Sequence, residues 1–171
     1  VGLVGSEMCI RDSPNTVAHS ILSFRDYPIN LLTVHISGGM SMLIRAREAA
    51  HAIKSKIIGV SLLTSLDQKD IKRVFFNDTQ KVADNLFDLA KEAKMDGIVC
   101  SAHELKYAMT NIPKLLKIVP GIRLSSNNDD QKRVMSPAEA LDLGANHLVI
   151  GRPITESRHP NAELEKILET L

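Results

Sequence analysis

The chain has 171 residues, with 21 Lys+Arg, 20 Asp+Glu and a net charge of +1, so it suits one ordinary domain and lacks the basic field of a nucleic-acid binder. Two cysteines, Cys9 and Cys100, are too few for a disulfide framework, and no CxxC or Cys/His cluster points to zinc. No apolar run nears the roughly 18 residues a membrane span needs, and with no Trp, two Tyr and four Phe there are no platforms for stacking single-stranded bases.

Residues 1–13, VGLVGSEMCIRDS, follow neither a helical nor a strand period. Their apolar stretch is short and broken by Glu7 and Arg11, which excludes a secretory signal. The run resembles translated adapter sequence. It is expected to be a non-native leader, with residues 14–171 forming the domain.

From Pro14 onward, apolar runs alternate with helical patterns. The first helix is expected at Asn15–Arg25, followed by a strand at Leu31–Ser37 and a helix at Met40–Ile53. A second strand follows at Ile57–Leu63, with a short helix around Asp70–Phe75. Thr79–Lys94 puts Val82, Leu86, Leu89, Ala90 and Ala93 on one face, with Asp78 as N-cap. Strands are expected at Gly97–Ala102, Leu115–Pro120 and His147–Gly151. Ser136-Pro137-Ala138-Glu139 has the form of a capping box that opens a helix. Ala162–Leu171 carries Leu164, Ile167, Leu168 and Leu171 on one side.

The strands read as nearly continuous apolar runs, the pattern of a parallel sheet covered on both faces. The fold class is α/β, either an open doubly wound sheet or much of a (β/α)₈ barrel. GxGxxG and GxxxxGK[ST] phosphate loops are both missing.

In either architecture the chemistry lies where strands end. Gly151-Arg152-Pro153 is the most informative such position. A glycine lets the backbone approach an anion, and the arginine fork matches phosphate oxygens. The competing reading is a surface ion pair at a strand end. Ser37-Gly38-Gly39 is either an anion cradle or a tight turn. His35 is read as a core histidine and Cys100 as an inert core thiol. Gln131-Lys132-Arg133 is either a solvated charge run or part of a ligand loop.

Taken together, several segments resemble bacterial-type orotidine 5′-phosphate decarboxylase. They are PNTV from Pro14, VHISGG from Val34, LLTSLDQ from Leu62, DGIVCSAHE from Asp96, VPGIR from Val119, DDQKRVMSPAEAL from Asp129 and VIGRPIT from Val149. They run in the family's order as far as the C-terminus. The resemblance implies a cytoplasmic homodimeric (β/α)₈ barrel, incomplete here, with about the fourth to eighth strands present. It implies a carboxy-lyase that converts orotidine 5′-phosphate to UMP in pyrimidine biosynthesis without metal or organic cofactor. No nucleic-acid or membrane partner is expected.

By the same resemblance, Gly151 and Arg152 grip the phosphate, and Gln131 reaches base and phosphate. Arg123 and Thr64 lie near the ligand, and Thr16 ends the family's Asp-x-Lys-x-x-Asp-Ile-Pro-Asn-Thr motif. Here that motif departs: Cys9 stands at the lysine position, Glu7 at the first aspartate, Ser13 at the isoleucine. Asp12 falls on the second aspartate and is a weak candidate. In the family, Asp12 and Thr16 match residues that close the partner subunit's site. The family lysine protonates C6, so this chain is expected to be an inactive fragment. The alternatives are a non-catalytic nucleotide-phosphate binder and another phosphate-handling barrel enzyme.

Overall fold

Three helix-to-strand turns of one design organise the chain. The computed structural model describes residues 13–63, 65–122 and 135–171. It contains five strands: β1 (Leu31–His35), β2 (Lys56–Val60), β3 (Gly97–Val99), β4 (Leu116–Pro120) and β5 (His147–Val149). They follow one another in chain order in one sheet. Both β1–β2 and β4–β5 are parallel, with His35 opposite Val60 and Ile118 opposite His147. The chain divides into two compact units at Ile98 and Val99.

In the first unit, α1 (Pro14–Leu22) opens at Ser13, whose Oγ accepts from the Thr16 N–H at 3.3 Å. Pro14 suits the first turn, where no amide partner is needed. Val17, Ala18 and Ile21 are buried, and α1 packs on α2 (Met40–Ala52). Ala46 and Ala50 of α2 are fully covered, and such small side chains let backbones come close. Next, α3 (Gln68–Phe75) is held by an Asp67–Asp70 capping box and buries Ile71 alone. Asp78 caps α4 (Thr79–Glu92) by accepting from the Lys81 N–H at 2.9 Å, as the sequence pattern indicates. Val82, Ala83, Leu86, Phe87 and Ala90 of α4 are buried.

The second unit holds α5 (Ala102–Asn111), β4, α6 (Pro137–Asp142), β5, the single turn α7 (Arg152–Thr155) and α8 (Pro160–Glu169). The Ser136–Glu139 capping box forms as its spacing indicates. Where a strand is expected as far as Ala102, β3 ends at Val99 and α5 begins at Ala102. The reason is another Ser-x-x-Glu box: the Ser101 N–H donates to Glu104 Oε2 at 2.7 Å. The last helix starts at Pro160, two residues earlier than expected.

The recurring turn explains where α2, α4 and α6 stop. Lys54, Lys94 and Gly144 take left-handed φ values of 62°, 55° and 98°. In each case the next N–H reaches back to a helix alanine: Ser55 to Ala50, Met95 to Ala90 and Ala145 to Ala140, at 2.9–3.0 Å. The left-handed residues themselves bond to His51, Lys91 and Leu141. This pair of bonds is a Schellman motif, which satisfies carbonyls that a helix end leaves open.

Burial on both faces is met in the middle of the sheet and not at its ends. Ile57, Ile58, Lys117, Ile118 and Val119 are buried. Thr33 of β1 and both His147 and Val149 of β5 are exposed. Among the described residues the end strands have a hydrogen-bonded neighbour on one side only.

Candidate functional site

The sheet's parallel strands direct attention to the ends of β1 and β5, each within its own unit. At the end of β1, His35 is half-buried rather than a fully covered core residue. Ile36–Gly38 form one 3₁₀ turn, and Gly39 precedes α2. Gly39 has φ 85° and ψ 165°, a region essentially reserved for glycine. Its N–H is used by the Ile36 carbonyl at 3.1 Å. Of the two readings of Ser37-Gly38-Gly39, this geometry is that of the tight turn.

At the end of β5 the arrangement is open. Gly151 precedes α7, and its carbonyl accepts from Ile154 and Thr155 at 2.9 and 3.0 Å. These two bonds fold the backbone over directly after the strand. Gly151 and Arg152 are both exposed. A Cβ built on Gly151 would meet no atom within 4 Å. Among the described residues the Arg152 guanidinium makes no ion pair. An unengaged guanidinium beside an accessible glycine backbone can take an anion with two oxygens in a plane.

Thr16 stands in the first turn of α1, exposed, with its hydroxyl 2.9 Å from that of Ser13. Thr64, Arg123 and Gln131, with Cys9 and Asp12, lie outside the described residues.

Cys100 is 1% exposed. Burial pushes its thiol up to about 12, the Glu104 carboxylate adds to the rise, and Lys117 opposes it. A thiol held so firmly in its protonated form is a poor nucleophile, which agrees with the inert reading. Lys117 departs from the apolar reading of β4. It is buried, and its Nζ donates to the Pro113 carbonyl at 2.8 Å. Loss of hydration lowers its pKa. Glu104 is a residue that strand-end reasoning passes over, although its Ser-x-x-Glu spacing is in the sequence. Its Oε1 is buried without a hydrogen-bond partner among the described residues.

Among the described residues no group of three His, Cys, Asp or Glu side chains could hold a metal. No helix there is long and apolar enough to cross a membrane.

The comparisons with known proteins converge. A family model described as "Orotidine 5′-phosphate decarboxylase / HUMPS family" matches residues 10–167. A protein named orotidine 5′-phosphate decarboxylase from Ehrlichia chaffeensis is 43% identical over 166 residues, covering 95% of this chain and 71% of the relative. One of the same name from Wolbachia of Culex pipiens is 40% identical over 167 residues, covering 96% and 74%. The crystal structure of the Lactobacillus acidophilus enzyme of that name matches with a TM-score of 0.79 at 30% identity, covering 94% of this chain and 71% of that one. Likeness of fold extends to the Sulfolobus solfataricus structure, with a TM-score of 0.69 at 18% identity over 95% and 70%. The α/β class with parallel strands is thus shared with barrels of this type, of which these five strands are part. The chain belongs to the orotidine 5′-phosphate decarboxylase / HUMPS family.

Proposed function

We propose that the site binds orotidine 5′-phosphate and its product UMP, with Arg152 and the Gly151 backbone holding the phosphate. The observation that carries this is the exposed Arg152 at the turn after β5, without an ion pair among the described residues, in a chain 43% identical to a named decarboxylase. Arg123, Gln131, Thr64 and Thr16 complete the proposed contacts, on the strength of the motifs they occupy. In the family reaction the C6–carboxylate bond breaks, CO₂ leaves, and the electron pair remains on C6 until a proton arrives there. A cation beside C6 stabilises that charge as it develops.

In this sequence Cys9 occupies the position where the family motif has lysine. A neutral thiol supplies no positive charge. We therefore read the chain as binding nucleotide without turning it over. The family match begins at residue 10, so it takes in the last four residues of the expected 1–13 leader. A homodimer acting in the cytoplasm completes the reading, by analogy with the family. The test pairs two assays on the full chain: UMP titration by calorimetry and orotidine 5′-phosphate consumption by absorbance. Saturable binding without consumption is expected. Consumption overturns the non-catalytic part, and absence of binding overturns the whole.

A further inference from the structure

We propose that Asn146 is a positioning residue for the phosphate grip, acting through the register of β5. This rests on the reading of Gly151 and Arg152 above. β5 has three residues, pairs with β4 at the end of the sheet, and exposes His147 and Val149. So short and exposed a strand gains little from burial, and hydrogen bonds must define its register. Register is weakly specified where neither face is buried.

Asn146, the residue before β5, supplies two such bonds. Its N–H donates to the Lys117 carbonyl at 2.9 Å, and its Oδ1 accepts from the Lys117 N–H at 2.8 Å. Lys117 is itself buried in β4, with Nζ bonded to the Pro113 carbonyl. On the other side, Ala145 and Gly144 tie the same turn to Ala140 and Leu141 of α6. The start of β5 is therefore held from both directions.

From this anchor the chain runs through β5 to Gly151 and Arg152. A slip of one residue along a strand displaces everything beyond it by about 3.3 Å and turns side chains to the opposite face. Charge-assisted N–H···O bonds lie at about 2.7–2.9 Å, so a shift of that size breaks one. The grip thus depends on the anchor more strictly than the fold does.

A built-in control separates positioning from plain stabilisation. Asp96 makes the same two-bond ring with Ile57 in the first unit. Asn146→Ala, Asn146→Asp and Asp96→Ala are compared in the full chain. Calorimetry reads the Kd for UMP, melting reads Tm, and amide hydrogen exchange is followed over residues 150–155. Asn146→Ala is expected to weaken UMP roughly tenfold, the scale of one lost hydrogen bond, and to speed exchange over 150–155. Asn146→Asp keeps the acceptor, as Asp96 shows is geometrically possible, and stays within about twofold of the parent. Asp96→Ala lowers Tm while leaving UMP affinity within about twofold.

Equal effects of Asn146→Ala and Asp96→Ala on affinity, or no effect of Asn146→Ala beyond Tm, overturn the proposal. If the parent binds no UMP, the functional reading falls by itself. The exchange comparison then decides this one, and equal exchange over 150–155 in the two alanine variants overturns it. Asn146→Gln, which displaces the amide by one methylene, replaces the alanine variant if that does not fold, with the same expected weakening.

Discussion

Asp96 and Ile57 hold each other by two bonds: the Asp96 N–H donates to the Ile57 carbonyl at 3.1 Å, and Asp96 Oδ2 accepts from the Ile57 N–H at 2.8 Å. The same Oδ2 lies 2.9 Å from His51 Nε2. One carboxylate thus serves a strand start and a helix end. Ile57 is 0% exposed, so its N–H has no water to turn to if the carboxylate is removed. Asp96→Ala is expected to cost about 1–3 kcal/mol, the desolvation penalty of an orphaned buried donor. Asp96→Asn, which keeps an acceptor, recovers most of it. Urea denaturation of the three proteins checks the order.

Lys54 and Lys94 adopt the left-handed conformation that glycine takes at Gly144. A residue with a Cβ pays roughly 1–2 kcal/mol there, partly offset in a glycine variant by unfolded-state entropy. Lys94→Gly is therefore expected to raise stability by about 0.5 kcal/mol. Gly144→Ala is expected to lower it by more than about 1 kcal/mol, since its Cβ would also run into the end of Met109. Thermal melting of the pair should show shifts of opposite sign.

The alternation of strands and helices was legible because each apolar run ends at a polar or glycine punctuation. Ser136 announced its helix through cap chemistry, and Asp78 did so together with the apolar face of Thr79–Lys94. The helix after β3 was hidden because its Ser101–Glu104 box follows an apolar strand without a break, and the strand pattern ran over it. Lys117 was illegible for a different reason. Burial of its ammonium depends on the Pro113 carbonyl, four residues away and reached only once the turn before β4 forms. At the site, Gly151-Arg152 could be named from residue type and position. Whether the arginine was engaged depended on neighbours brought up by folding.

Cys100 and Lys117 give stability opposite slopes with alkaline pH. The folded chain keeps the Cys100 proton to about 12, against a usual value of 9.0. Unfolded chains release it sooner, so stability falls as pH rises through this window, by about 1.4 kcal/mol per pH unit at most. Lys117 acts in reverse. Its folded pKa lies below 10.5, the unfolded chain binds more protons, and its contribution rises toward pH 10.5. Cys100→Ala is expected to flatten the fall above pH 9, and Lys117→Met to remove the rise that approaches pH 10.5. Denaturation midpoints across that range measure both.

Ser136 presents its hydroxyl and N–H to Glu139 Oε2 at 2.8 and 2.9 Å. These bonds hold the Glu139 carboxyl below its ordinary value. Ser136→Ala is expected to cost about 1 kcal/mol through loss of the cap. Helix α6 is six residues long, and amide exchange over Pro137–Asp142 should accelerate accordingly.

The most direct test of the phosphate grip is a calorimetric titration of UMP into the parent chain and into Arg152→Ala. Removing one charge-assisted, two-pronged contact of about 2–3 kcal/mol should weaken binding roughly 30- to 150-fold. Addition of inorganic phosphate should compete in the parent alone. Equal UMP affinity in the two proteins would contradict the assignment of the phosphate to Arg152.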